Sequence, residues 1–304
     1  MLELESLEKG KTHRGFLNPD IGHPVEIPYI IVKGIHPGPT LLVTSGIHGA
    51  EYASIEAANR ITVINPDVLS GTLVVLPVVN TVSFFARSIY ITPIDQKNLN
   101  RMFPGDPKGS FTQRLAFWLM ETFIRKADAH LDLHGGDMIE ALTPFTIFAE
   151  KHAPSEALAK AFGIELLVTS DSPGTTCTEA AKAGIPCILA EASGQGLWPE
   201  EEVERLHLGI ERVMVHMGML EGKIEPRVTQ KLTEFAWLQA DCAGFWYPFV
   251  KAGDPVKNGQ IIGQIKTLIG EIVQEVNSSI DGIVLFSVSS LAINKGDPLY
   301  GIGA

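Results

Sequence analysis

"TLLVTSGIHGAEYASIEAANRI", residues 40–61, joins an apolar, β-branched run to an alanine-rich stretch through a glycine-flanked turn. The run reads as a buried strand and the alanine-rich part as the helix that follows it, the beginning of a βαβ unit. At their junction stand His48 and Glu51, three positions apart. At the opening of a helix, two residues at that spacing can turn toward one ion.

Working outward, the same alternation recurs. Residues 71–80, 129–136, 143–150, 165–171 and 185–192 read as strands, and 111–127 and 199–220 as helices. In the first of those helices Leu115, Trp118, Leu119 and Phe123 lie near one face. Strands alternating with helices predict an α/β fold, a mostly parallel or mixed sheet with helices on both faces. After residues 221–230, "EGKIEPRVTQ", helical periodicity stops and short β-type segments separated by Gly, Asp and Pro turns begin. The expected organisation is therefore a catalytic α/β domain over 1–225 and a small all-β domain over 226–304. Within the latter, "KAGDPVKNGQ" (251–260) and "NKGDPLYGIG" (294–303) repeat a Gly-Asp-Pro turn, a sign of internal pseudo-symmetry.

Three polar residues fall at predicted strand ends: His48, His134 in "DLHGG" and Glu191 in "ILAEASGQG". In an open parallel sheet that edge binds ligands. A catalytic zinc takes about three nitrogen or carboxylate ligands and leaves a position for water. His48, Glu51 and His134 supply such a set, one zinc per chain. Asp132, two residues before His134, is placed to accept from a ligand imidazole and fix its tautomer. An isolated HxxE pair also arises by chance; the glycine-flanked context and the third strand-end carboxylate set this one apart. His36, His130, His152, His207 and His216 lack that context and read as surface or structural.

A formal charge of -11 argues against nucleic acid or an anionic membrane as partner, since neither polyanion gains from an acidic surface. The N-terminal stretch lacks the pattern of a signal peptide and no apolar run is long enough to span a bilayer, so a soluble, cytoplasmic protein is expected. Cys177, Cys187 and Cys242 form no CxxC pair and suggest no disulfide framework. The size and acidity suit a symmetric homo-oligomer.

In order, "GIHGAE", "NLNRMFPG", "DLHGG" and "ILAEASGQG" resemble the succinylglutamate desuccinylase and aspartoacylase family, a branch of the zinc carboxypeptidase clan. The resemblance covers roughly residues 35–220, with a tail that also looks like the family's β-domain. It implies a zinc carboxypeptidase-like fold and zinc at His48, Glu51 and His134. It further implies substrate binding by Asn100 and Arg101, and a catalytic carboxylate at Glu191. The residue types agree: a carboxylate can move a proton from water to a departing amine, and a guanidinium holds a carboxylate bidentately. One departure concerns the arginine that many members carry shortly before the Asn-Arg pair to polarise the scissile carbonyl. Tyr90 stands there by ungapped count, and Arg87, three residues earlier, is the candidate replacement, which leaves the oxyanion stabiliser open between them.

The tail looks like the barrel-sandwich fold of biotinyl and lipoyl carriers without their modified lysine, so its expected role is to restrict access to the site. The function expected is deacylation of a small N-acyl amino acid to a carboxylate and a free amine. A metallocarboxypeptidase acting on short peptides and a non-catalytic metabolite-binding protein of the same fold are the alternatives. No GxSxG elbow supports a serine hydrolase.

Overall fold

In the computed structural model, which describes residues 4–304, nine strands form the main sheet. They are β1 (Lys11–Leu17), β2 (Ile27–Lys33), β3 (His36–Thr44), β4 (Ser70–Leu76), β5 (Ala129–His134), β6 (Phe145–Phe148), β7 (Leu166–Thr169), β8 (Cys187–Glu191) and β9 (Gln230–Leu232). Their spatial order is β1-β2-β4-β3-β5-β8-β6-β7-β9. The central run β4-β3-β5-β8 is parallel. β1, β2 and the β8–β6 junction are antiparallel, so the sheet is mixed.

The strands are apolar on both sides because both sides are covered. Leu41, Val43, Leu73, Val75, Leu131, Leu133, Ile188 and Ala190 face one core, filled by α1 (Tyr52–Arg60), α4 (Ala153–Phe162) and α6 (Glu200–His216). Leu42, Val74, Leu76, Cys187 and Leu189 face the other, filled by α3 (Phe111–Thr122) and α5 (Thr176–Lys182). α2 (Thr81–Ala86) follows β4. The alternation between adjacent residues is the two-residue period of a strand buried on both faces.

The register sets the site. β3 pairs Thr44 with Asp132 of β5, and β5 pairs His134 with Glu191 of β8. Three parallel strands thus end together, each presenting polar residues at its C-terminal edge.

Beyond β9 the chain forms two antiparallel sheets. Phe235–Gln239, Gly282–Val288, Pro298–Gly303 and Pro255–Val256 build one; Gly244–Pro248, Ile261–Lys266, Ile272–Asn277 and Ala292–Ile293 build the other. Trp246, Ile265, Val284 and Tyr300 fill the core between them. Buried Trp246 donates from Nε1 to the Val288 carbonyl at 3.0 Å, and Tyr300 from its hydroxyl to the Ile262 carbonyl at 2.8 Å. The arrangement is a sandwich, and among the described residues no barrel is closed.

The two regions are joined by more than the chain. A short strand, Glu140–Leu142, leaves the loop after β5 to pair with Gly282–Val288. Leu285 enters a core shared with Phe145, Leu166, Val168 and Leu232. β9, beyond the change in sequence character near residue 225, is an edge strand of the main sheet. No helix among the described residues is long and apolar enough to cross a membrane.

Candidate active site

The turn after β3 brings His48 to the sheet edge and starts α1 at Tyr52. Glycine is needed in that turn. A Cβ on Gly49 would sit 2.1 Å from the Phe84 backbone nitrogen, so only hydrogen fits where the loop crosses α2. Glu51 is the N-cap residue of α1, but its carboxylate caps no backbone N–H. It turns instead toward the imidazoles, still within the favourable field of the helix N-terminus.

His48 Nδ1 lies 2.8 Å from Glu51 Oε1, and His134 Nδ1 lies 3.0 Å from Glu51 Oε2. The three residues are buried, and one ligand atom from each falls within 4.8 Å of the others. Contacts on the far side of each ring fix the tautomers. His134 Nε2 donates to Asp132 Oδ2 at 3.1 Å, and His48 Nε2 donates to Asn98 Oδ1 at 3.0 Å, an amide oxygen that also accepts from the Asn100 N–H. Each ring thus turns Nδ1 toward one oxygen of the same buried carboxylate. Two imidazole nitrogens this close to one buried carboxylate call for positive charge, as protons on the rings or as a shared cation.

Two further observations carry the same demand. Glu51 Oε2, 3.0 Å from His134 Nδ1, is buried and makes no well-formed hydrogen bond. Burial acts to lower the pKa of both histidines, and the Glu51 charge overrides it, so both are raised, His134 strongly. A divalent cation would replace those protons with two nitrogens and a carboxylate as ligands, the donor set that suits zinc.

Asp132 is the hub behind His134. Its Oδ1 accepts from the Thr44 hydroxyl at 2.7 Å, and its Oδ2 accepts from the Thr176 hydroxyl at 2.5 Å as well as from His134. Burial works to raise its pKa, but the His134 charge and these donors bring it down to about 2. Thr176 opens α5, and its backbone N–H donates to Asn100 Oδ1 at 2.9 Å. The Asn100 amide is thereby oriented, with its carbonyl oxygen occupied and its NH2 group left for other partners.

Glu191, paired with His134 across the strands, is half-buried, and its Oε2 has no hydrogen-bond partner. Burial raises its pKa well above the ordinary carboxylate range, assisted by the charges of Glu51, Glu140 and Asp132 and opposed by His134. A cation at the neighbouring ligands would bring it back down. Arg101 is exposed and lies within the field of Glu191.

Tyr90 and Arg87 separate in space. Tyr90 stands over the site, its ring 6.0 Å from that of His48 in an edge-on arrangement. It has a left-handed φ of 57°, held by its N–H donating to Asp137 Oδ2 at 2.9 Å and its hydroxyl donating to Glu140. Arg87 is the exposed C-cap of α2 and makes no ion pair among the described residues. Burial and the Glu140 charge raise the Tyr90 pKa.

Asn98, Thr44, Thr176, Asp137 and Glu140 were not singled out from sequence. Asn98 belongs to the "NLNR" motif and Asp137 directly follows "DLHGG", so local signals existed for these two. Burial and the charge of Glu51 push Asp137 up to about 7.

The fold and motifs recur in known proteins. The model of the succinylglutamate desuccinylase/aspartoacylase catalytic domain matches residues 37–217. The N-alpha-acetyl-L-2,4-diaminobutyric acid deacetylase of Halomonas elongata is 30% identical over 291 residues, 90% of this chain and 84% of the relative. The product-bound structure of the ectoine utilization protein EutE (DoeB) from Ruegeria pomeroyi superposes with a TM-score of 0.88 at 27% identity, covering 98% of this chain and 97% of that one. A succinylglutamate desuccinylase/aspartoacylase from Rhodobacter sphaeroides gives 0.86 at 27% identity, covering 100% and 98%. With four motifs in order, the expected sheet and a matched catalytic domain, the chain belongs to the succinylglutamate desuccinylase/aspartoacylase family of amide hydrolases.

Proposed function

We propose that this chain is a zinc-dependent amidohydrolase that deacylates a small N-acyl amino acid, with zinc on His48, Glu51 and His134. The observation that carries the reading is the buried cluster in which Nδ1 of two imidazoles lies within 3.0 Å of the two oxygens of one carboxylate. When bound, zinc would supply Lewis-acid polarisation of the acyl carbonyl and lower the pKa of water. Glu191 takes the proton from the attacking water and delivers it to the departing amine, one carboxylate serving as base and then as acid. Arg101 holds the substrate carboxylate with its guanidinium fork, and the Asn100 amide NH2 group fixes the adjoining part of the substrate.

Asp132 keeps the His134 tautomer and Asn98 that of His48, so the ligand atoms are set before substrate arrives. Tyr90 lines the wall beside His48, nearer the chemistry than exposed Arg87. The C-terminal sandwich narrows access to small substrates, and the enzyme works in the cytoplasm, alone or as a homo-oligomer. The curated relative's named substrate, Nα-acetyl-L-2,4-diaminobutyrate, belongs among the candidates.

Two measurements test the reading. Amine release by the zinc-loaded protein across N-acetyl, N-succinyl and N-formyl amino acids and a few dipeptides should show turnover of one acyl class that stops on chelation; cleavage of dipeptides alone would favour a carboxypeptidase. His134→Ala should lose most bound metal, whereas Glu191→Gln should keep metal and lose turnover. Equal metal retention in the two variants would break the assignment.

A further inference from the structure

The His48–Glu51–His134 cluster and the turn that carries Asn100 and Arg101 are two arcs of one ring of contacts. On one side, Asn98 Oδ1 accepts from His48 Nε2 at 3.0 Å and from the Asn100 N–H at 2.8 Å. On the other, Asn100 Oδ1 accepts the Thr176 N–H at 2.9 Å, and the Thr176 hydroxyl donates to Asp132 Oδ2 at 2.5 Å. The same Asp132 oxygen holds His134 Nε2, and Glu51 lies between the two imidazoles and closes the ring. The turn is therefore tied by hydrogen bonds to both imidazoles, once through Asn98 and once through Thr176 and Asp132.

Helix geometry explains how Thr176 serves both neighbours. It is the first residue of α5, after the N-cap Thr175, so its N–H has no partner within the helix and can donate outward. It is fully buried, and its β-branched side chain has little rotational freedom. The residue two positions earlier presses on the same turn. A Cβ on Gly174 would lie 2.4 Å from the Arg101 carbonyl oxygen, and the Gly174 carbonyl accepts the Phe103 N–H at 3.1 Å. A displacement at the start of α5 thus reaches the backbone of the turn directly. The ring is weakest at Glu51, whose Oε2 makes no well-formed hydrogen bond, and that is the link a cation would strengthen.

We propose that Thr176 is a positioning residue that couples the metal centre to the substrate-binding turn: a cation held by His48, Glu51 and His134 orders the turn through Asp132 and the Thr176 hydroxyl. The inference rests on the zinc reading above and adds a route of communication to it. Fixing His134 fixes Asp132, and the single hydroxyl passes that constraint to α5 and the Asn100 amide. The coupling is reciprocal, so a ligand that orders the turn tightens the metal by the same factor.

Hydrogen exchange of the full-length protein, without metal and with zinc, tests the coupling in a peptide spanning Lys97–Pro104. In the wild type, zinc should slow exchange there by about tenfold relative to the Ile261–Asn277 hairpin of the sandwich, within the usual range of coupling between sites. Thr176→Val removes the hydroxyl but keeps the N–H and nearly the same volume. It should lose most of that slowing and bind zinc about tenfold more weakly in competition with a chelator. Thr176→Ser restores a hydroxyl and should recover both properties. No zinc-dependent slowing in the wild type, or equal slowing in wild type and Thr176→Val, would overturn the inference and leave the zinc reading standing. Equal losses in Thr176→Val and Thr176→Ser would also overturn it and make Thr176 a packing residue. A wild type that retains no zinc would overturn both readings.

Discussion

His130 shows how a buried hydrogen-bond chain decides a charge state. The Thr44 hydroxyl has one proton and gives it to Asp132, so at 2.7 Å it accepts from His130 Nε2; the other ring nitrogen faces the Cys187 thiol at 3.4 Å. The ring is neutral, and burial, outweighing Asp132, lowers its pKa to about 4. An unfolded histidine titrates near 6.5, so between these values the unfolded chain binds a proton that the folded chain refuses. Stability from this group is complete above about pH 6.5 and falls by about 3 kcal/mol as pH drops toward 4. His130→Gln should flatten the pH dependence of the urea midpoint across that window relative to wild type; parallel profiles would contradict the assignment. Behind the other histidine, Asp132→Asn removes the acceptor that sets His134 and should weaken zinc binding by about ten- to a hundredfold, read by competition with a chelator. His48, Glu51, His134 and Glu191 were legible in the sequence because strand ends and glycine turns carry local signals. Asp137 and Tyr90, 47 positions apart, meet only because the main sheet places their loops together.

Among the elements, α2 and the turn before α1 are locked by Gly49, whose missing side chain lets Ser83 and Phe84 approach. A methyl group there must push α2 away, and α2 leads directly into the Tyr90 loop. Gly49→Ala should therefore cost about 1–3 kcal/mol by chemical denaturation and also loosen metal binding, whereas a merely local effect would leave metal affinity unchanged. Sequence periodicity disclosed the central strands and helices α3 and α6, since long apolar patterns survive any surroundings. It did not disclose β1, whose residues are mostly exposed, nor α2 and α5, which are too short to establish a helical period. Of these, α5 supplies through Thr176 both the N–H that fixes Asn100 and a hydroxyl that fixes Asp132.

For the whole molecule, the shared core around Leu285 predicts that the two regions lose structure together. Leu285→Ala removes a fully buried side chain between Phe145, Leu166, Val168 and Leu232 and should cost about 2–5 kcal/mol. Tryptophan fluorescence, which samples Trp118 and Trp198 on one side and Trp237 and Trp246 on the other, should shift to lower denaturant as one transition; two separated transitions would show independent units. The change in sequence texture near residue 225 marks where helices stop, while the edge strand β9 and the Glu140–Leu142 pairing are long-range choices that texture does not record. That pairing reaches past stability. The strand that the sandwich borrows begins at Glu140, the partner of Tyr90, and follows Asp137 by three residues. A chimera that takes its C-terminal region from a relative should therefore also shift the loop that holds Tyr90, and its selectivity should follow both parents rather than the donor of His48, Glu51 and His134 alone.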